Sequence, residues 1–107
     1  MKNILILITF LFSINSFSQE VTLLYVNSTW NKSNRYKHLK SLNNVKILEA
    51  NYDDQPVKFK NQIKSVPAII LFDKNKKPKR VWQGGLSMQL LVDPKEIQQA
   101  INNIYNK

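Results

Sequence analysis

Two stretches of the chain are apolar almost without interruption, residues 20–26 and Pro67–Phe72. Runs of this kind, rich in β-branched and aromatic residues and without polar alternation, predict strands buried on both faces. Residues 45–52 predict a further strand, and residues 79–83 a fourth, joined to Pro67–Phe72 through the turn at residues 73–78 as a hairpin. After the first strand Asn27-Ser28-Thr29 breaks the run, and from Ser33 to Leu42 the pattern turns helical. Tyr36, Leu39 and Leu42 recur near one turn with Lys and Arg between them, Ser33 or Asn31 is placed to cap the start, and Asn43-Asn44 ends it. Beyond Asp53-Asp54, Pro56 opens a short helix with Phe59 and Ile63 on one edge. Leu86–Val92 alternates like a strand but suits an irregular crossover equally well.

The last helix carries the strongest signal. Asp93 is a good N-cap, Pro94 fits the first helical position, and Glu96 is spaced to reach back to the cap. Ile97, Ala100, Ile101, Ile104 and Tyr105 then form one broad apolar face. The element order is therefore β-α-β-α-β-β-α. It predicts an α/β domain with a central mixed four-stranded sheet flanked by helices. The early connections read as crossovers between parallel strands, and the hairpin as the source of the antiparallel strand.

Composition changes this picture in three ways. At 107 residues there is room for one core only. The first residues are set apart from it: Lys2, the apolar run from Ile4 to Phe12, and Ser16-Phe17-Ser18 before Gln19 read as a secretory signal peptide over residues 1–18. That run is short for the ~20 residues that span a bilayer, so the expectation is cleavage and export rather than a stable membrane anchor. The domain is then residues 19–107, periplasmic or secreted, and carries 15 basic and 7 acidic residues, a net charge of +8. Such a balance favours solubility and loose attraction to anionic surfaces without specifying a partner. Finally, the chain has no cysteine, so a protein expected in a disulfide-permitting compartment must be held by packing alone.

The element order, with Val66-Pro67 opening the third strand, is similar to the core of the thioredoxin family over nearly all of residues 19–107. Missing is the extra strand and helix that open a full-length thioredoxin. In that family a proline in the position of Pro67 has a cis peptide bond and lies beside the active-site loop. The family's Trp-Cys-x-x-Cys corresponds to Trp30-Asn31-Lys32-Ser33-Asn34, with asparagines in both sulfur positions. Thiol–disulfide exchange needs a thiolate to attack a disulfide sulfur, and a carboxamide is no substitute. The buried acid that the family tends to place on the first core strand is also missing from Leu23-Leu24-Tyr25. The chain thus resembles a cysteine-free, redox-inactive member of the family, and no catalytic residue is assigned.

The remaining signals each have a bland reading beside the functional one. Trp30 is either a recognition aromatic beside Pro67 or a loop aromatic over the core edge. Asn31 and Asn34 read first as helix caps and second as ligand contacts. The backbone at Val66 is the position that, in the family, pairs with a bound extended peptide by strand addition. The basic run from Lys74 to Arg80 reads as a solvated hairpin tip that discourages edge pairing, so no nucleic-acid partner is expected. His38 stands alone among lysines, so no metal or other cofactor is expected.

These observations predict a non-enzymatic binding module. It takes an extended peptide or partner protein in a groove between Trp30, Asn31 and Asn34 on one side and Val66 and Pro67 on the other. The alternatives are an assembly protein using an apolar surface around residues 86–92, or a binder of anionic surfaces through Lys76, Lys77 and Lys79.

Overall fold

The protein is described by a computed structural model covering residues 20–106; the expected signal peptide at residues 1–18 lies outside the described residues. Four strands, β1 (Thr22–Asn27), β2 (Lys46–Asn51), β3 (Ala68–Phe72) and β4 (Pro78–Gln83), form one sheet in the order β2-β1-β3-β4. Two α-helices accompany it, α1 (Val57–Lys60) and α2 (Pro94–Tyr105). The sheet is mixed, as the pattern predicts. β1 and β2 are parallel, with Leu23 opposite Ile47 and Tyr25 opposite Glu49.

The direction of β3 differs from the expectation of parallel early strands. It runs antiparallel to β1, pairing Leu24 with Ile70 and Val26 with Ala68, and β4 is antiparallel to β3 in turn. The connection from β2 to β3 therefore crosses over β1 and also reverses the chain direction. A strand buried on both faces has the same composition in either direction, so the apolar run carries no record of its orientation.

Alternation along β1 divides the interior in two. Leu23 and Tyr25 face a cluster with Leu39, Leu42, Ile69, Leu71, Ile97 and Ile101, which puts α2 on that side. Leu24 and Val26 face Phe59, Ile63, Val66, Ala68, Ile70 and Phe72, which puts α1 on the other. The central strands are buried on both faces, as uninterrupted apolar runs require.

The helix expected over residues 33–42 does not form. In its place are two 3-10 turns, Thr29–Asn34 and Leu39–Ser41, and a third, Tyr52–Asp54, precedes α1. Tertiary hydrogen bonds explain the change. The main-chain N–H of Tyr36 donates to Tyr25 Oη at 2.9 Å, and Tyr36 Oη donates to the carbonyl of Val92 at 2.7 Å. An N–H taken by a distant tyrosine cannot serve a helix ladder, and Arg35 is extended accordingly (φ −55°, ψ 136°). Tyr36, Leu39 and Leu42 are nonetheless buried, so the apolar spacing fills the core without an α-helix.

Helix α2 begins as expected, with the Asp93 carboxylate accepting from the N–H of Lys95. Glu96 does not reach back to the cap. Its carboxylate accepts instead from Trp82 Nε1 at 2.7 Å and from Arg80 at 3.2 Å, tying the helix to β4. Leu86–Val92 is an irregular crossover rather than a strand.

Candidate functional site

The ends of β1 and β4 and the start of β3 meet at one end of the sheet. There the Val66–Pro67 peptide bond is cis. The proline loop is fastened to the end of β4: the N–H groups of Lys64 and Ser65 donate to the Gln83 side-chain carbonyl at 3.1 and 3.3 Å, and Ser65 Oγ donates to the Gly84 carbonyl. The Gly84 N–H closes the same contact on the Pro67 carbonyl at 2.8 Å. A side chain at Gly84 has no room, because a Cβ there would lie 2.9 Å from the Val66 carbonyl oxygen and 3.1 Å from Pro67 Cδ. The sequence pattern marks Gly84-Gly85 only as an interruption. Its chemistry is this close approach.

Beside the loop is a groove of about 160 Å³, lined by Trp30, Tyr52, Ile63, Ser65, Val66 and Met88 among others. Trp30 is 65 % exposed, an unusual position for an indole, and forms an open wall. Val66 is 5 % exposed at the floor. The β3 ladder begins only at Ala68, and Val66 takes part in no main-chain hydrogen bond among the described residues. Of the five expected site residues the structure thus brings Trp30 and Val66 onto one groove, while Pro67, next to Val66 in the chain, is buried and does not line it.

Asn31 and Asn34 have a different role from either expected one. Neither caps a helix, since the cap position of the Thr29–Asn34 turn is Ser28. Asn31 is 2 % exposed and not open to a ligand. Its Nδ2 donates to Asn27 Oδ1 at 3.1 Å and to the Met88 carbonyl at 3.0 Å, while its Oδ1 accepts from Asn34 Nδ2 at 2.8 Å. Asn34 Oδ1 in turn accepts from Gln89 Nε2 at 3.3 Å. The two amides, standing where the resemblance places two sulfurs, are hydrogen-bonded to each other. They hold the turn carrying Met88 (φ 58°) against the groove.

Other residues of the site escape local pattern reading. Ser28 and Tyr52 lie at strand ends and Met88 in a segment whose form was open. Asp53, just before the short helix in the chain, reaches across to the first loop, accepting from the Thr29 N–H at 3.2 Å and from Ser28 Oγ at 3.4 Å. Next to it Arg35 makes a bidentate pair with Glu49 at 2.6 and 2.9 Å and lies over the Tyr25 ring. The hydrogen bond from Arg35 holds the Glu49 carboxyl below its usual range. Burial pushes the Tyr25 phenol up, and pushes Tyr36, helped by Asp93 and Glu96, up to about 12.

Chemically, the groove offers an aromatic wall, an apolar floor and hydroxyl groups. The chain supplies no thiol, and among the described residues no group of three or more His, Cys, Asp or Glu side chains is placed to hold a metal ion. An arrangement of this kind can bind, through apolar contact and main-chain hydrogen bonding.

No family model and no curated protein sequence matches the chain. Solved structures do. Thioredoxin O2 from Arabidopsis thaliana in its oxidised state superposes with a TM-score of 0.51 at 14 % identity, over 81 % of this chain and 76 % of that one. A disulphide isomerase from Xylella fastidiosa Temecula1 gives 0.50 at 15 % identity, over 81 % and 79 %. A designed protein gives 0.51 at 14 % identity, over 82 % and 78 %. At such identities the likeness speaks for architecture alone. The chain has a thioredoxin-like α/β fold, and it has that fold without a cysteine.

Proposed function

We propose that this is an exported, non-enzymatic binding module with no thiol–disulfide activity, which takes an extended peptide or a partner protein in the groove beside the proline loop. The observation that carries the reading is the pairing of an exposed indole with an unladdered backbone: Trp30 and Val66 line the same groove. An extended segment laid there would bury an apolar side chain against Trp30, Tyr52 and Ile63. Main-chain pairing at Val66 would fix its direction. Neither contact needs sulfur, which is why binding survives the loss of the chemistry. The absence of any thiolate supports the lack of disulfide exchange.

The test is titration of ¹⁵N-labelled protein with extended peptide libraries and with an exported-fraction extract. Saturable shifts at the Trp30 indole and the Val66 amide are expected, with Trp30→Ala weakening the strongest peptide about tenfold or more, as for a central aromatic anchor. Absence of shifts at both residues would sink the proposal.

A second reading, self-assembly or partner assembly through the crossover after β4, is favoured by one observation. Leu86 is fully exposed and Leu91 is 81 % exposed, two large apolar side chains within six positions. Sizing chromatography of Leu86→Asp, Leu91→Asp protein separates the readings: a monomer before and after substitution counts against assembly.

A further inference from the structure

A larger cavity, about 410 Å³, lies at the opposite end of β3 from the proline loop, between the hairpin of β3 and β4 and the last turns of α2. Five residues of strand separate the two ends, roughly 17 Å, so this cavity and the Trp30 groove are independent. Its volume falls in the range that accommodates small organic molecules, about 300–1,000 Å³.

The two walls differ in character. The hairpin contributes Lys74, Lys79 and Arg80, and the helix contributes Ala100 and Ile104. Asp73 lines the hairpin wall as well and Glu96 lies close by, but both carboxylates are occupied. One Asp73 oxygen accepts from the N–H groups of Asn75 and Lys77 at 2.8 and 2.9 Å, shaping the turn, and the other meets Lys79 only at 3.7 Å. The Glu96 carboxylate is shared between Arg80 and Trp82 Nε1. Lys74 meets no carboxylate within ion-pairing distance among the described residues and rests over the Tyr105 ring at 4.7 Å. The cavity therefore has an excess of positive charge along one wall and an apolar surface along the other.

We infer that this cavity is a binding site for a small amphipathic anion, a carboxylate on a short aliphatic stem. The direction of binding follows from α2. Its C-terminal carbonyls repel negative charge, so the head sits against the hairpin cations and the stem lies along Ala100 and Ile104. Charge on one wall and hydrocarbon on the other both contribute, and a ligand with only one of the two parts binds less well.

Three probes test this on ¹⁵N-labelled protein at constant ionic strength: hexanoate, which has both parts, 1-hexanol, which has only the stem, and inorganic phosphate, which has only charge. Hexanoate is expected to give saturable shifts at Lys74, Asn75, Arg80, Asn103 and Ile104 while Trp30 and Val66 stay still. Hexanol and phosphate are each expected to bind at least fivefold more weakly. Lys74→Gln, an exposed substitution that leaves the core intact, lowers hexanoate affinity about fivefold. Phosphate matching hexanoate would overturn the inference in favour of diffuse surface charge, and hexanol matching it would leave the cations no role. No saturable shift at these residues up to 50 mM hexanoate would also overturn it. None of these outcomes bears on the Trp30 groove.

Discussion

Replacing Asn31 tests whether its buried amide, rather than a covalent link, holds the loop after β1. Asn31→Ala removes the bonds to Asn27 Oδ1, the Met88 carbonyl and Asn34 Nδ2. A buried hydrogen bond contributes about 1 kcal/mol net, and its orphaned partners cost more when water cannot reach them. Asn27 and Asn34 are only half-buried and regain water, so the loss is about 2–3 kcal/mol. A domain of this size is stable by about 5–10 kcal/mol, and each kcal/mol moves its midpoint by roughly 4–8 °C. The expected drop in Tm is therefore roughly 10–20 °C, with faster hydrogen exchange concentrated at residues 85–89. Asn31→Asp is the sharper variant. It keeps the shape but places an acceptor opposite Asn27 Oδ1 and the Met88 carbonyl, and is expected to cost at least about 1 kcal/mol more than alanine. Urea denaturation of the two variants decides the matter. A change below about 0.5 kcal/mol for alanine, the level of an ordinary surface substitution, would refute the reasoning, as would an aspartate variant no worse than alanine.

Three further outcomes are expected. Gly84→Ala forces a Cβ to 2.9 Å from the Val66 carbonyl oxygen and should cost roughly 1–3 kcal/mol with chemical-shift changes at Val66. Gly85→Ala, with nothing within 4 Å of its Cβ, serves as the silent control. Glu49 has its folded pKa depressed below the usual 4.5 by Arg35, so the stabilisation is present above that value and is lost as pH falls through the folded pKa. The pair is about half exposed, so the difference between wild type and Glu49→Gln is expected to be no more than about 1 kcal/mol at pH 6 and to shrink steadily in urea melts as the pH is taken below 4.5. Tyr36 is raised to about 12, so its contribution is intact below the ordinary phenol value of 10 and falls away as pH rises toward 12. Tyr36→Phe should cost about 1 kcal/mol at neutral pH, and in alkaline titration at 295 nm the missing absorbance should belong to the last tyrosine to ionise.

Much of the architecture is legible because burial writes itself into composition. Residues 21–26 and 67–72 can be almost wholly apolar only if both faces are covered, and α2 declares its start through Asp93-Pro94 and its buried side through Ile97 and Ile101. What was not legible depends on residues distant in sequence. The stretch from Ser33 to Leu42 has helical spacing, yet Tyr36 bonds to partners 11 and 56 residues away and those contacts override local preference. The orientation of β3 is invisible for the reason given by its uniform composition. Asn31 resembles a cap when viewed beside Trp30 and Ser33, but its function is set by Met88, 57 residues further on. Glu96 likewise leaves its own helix end for Trp82. Of the candidate site, the proline loop and Trp30 were readable because the resemblance covers them, whereas Tyr52, Ile63 and Met88 join the groove only once the chain has folded.

The sheet order β2-β1-β3-β4 puts the first strand of the described residues at an interior position, with its second neighbour supplied by residues 68–72. Until Phe72 has emerged, a growing chain has only the two-stranded ribbon of β1 and β2 from the described sheet, and an isolated pair of strands is at best marginally stable in water. Fragments ending before residue 68 should behave as unfolded polypeptide, whatever their helical content. Commitment to the native state comes late, when the segment bearing Val66 and Pro67 reaches β1, so the proposed binding groove is also where the domain becomes a single cooperative unit.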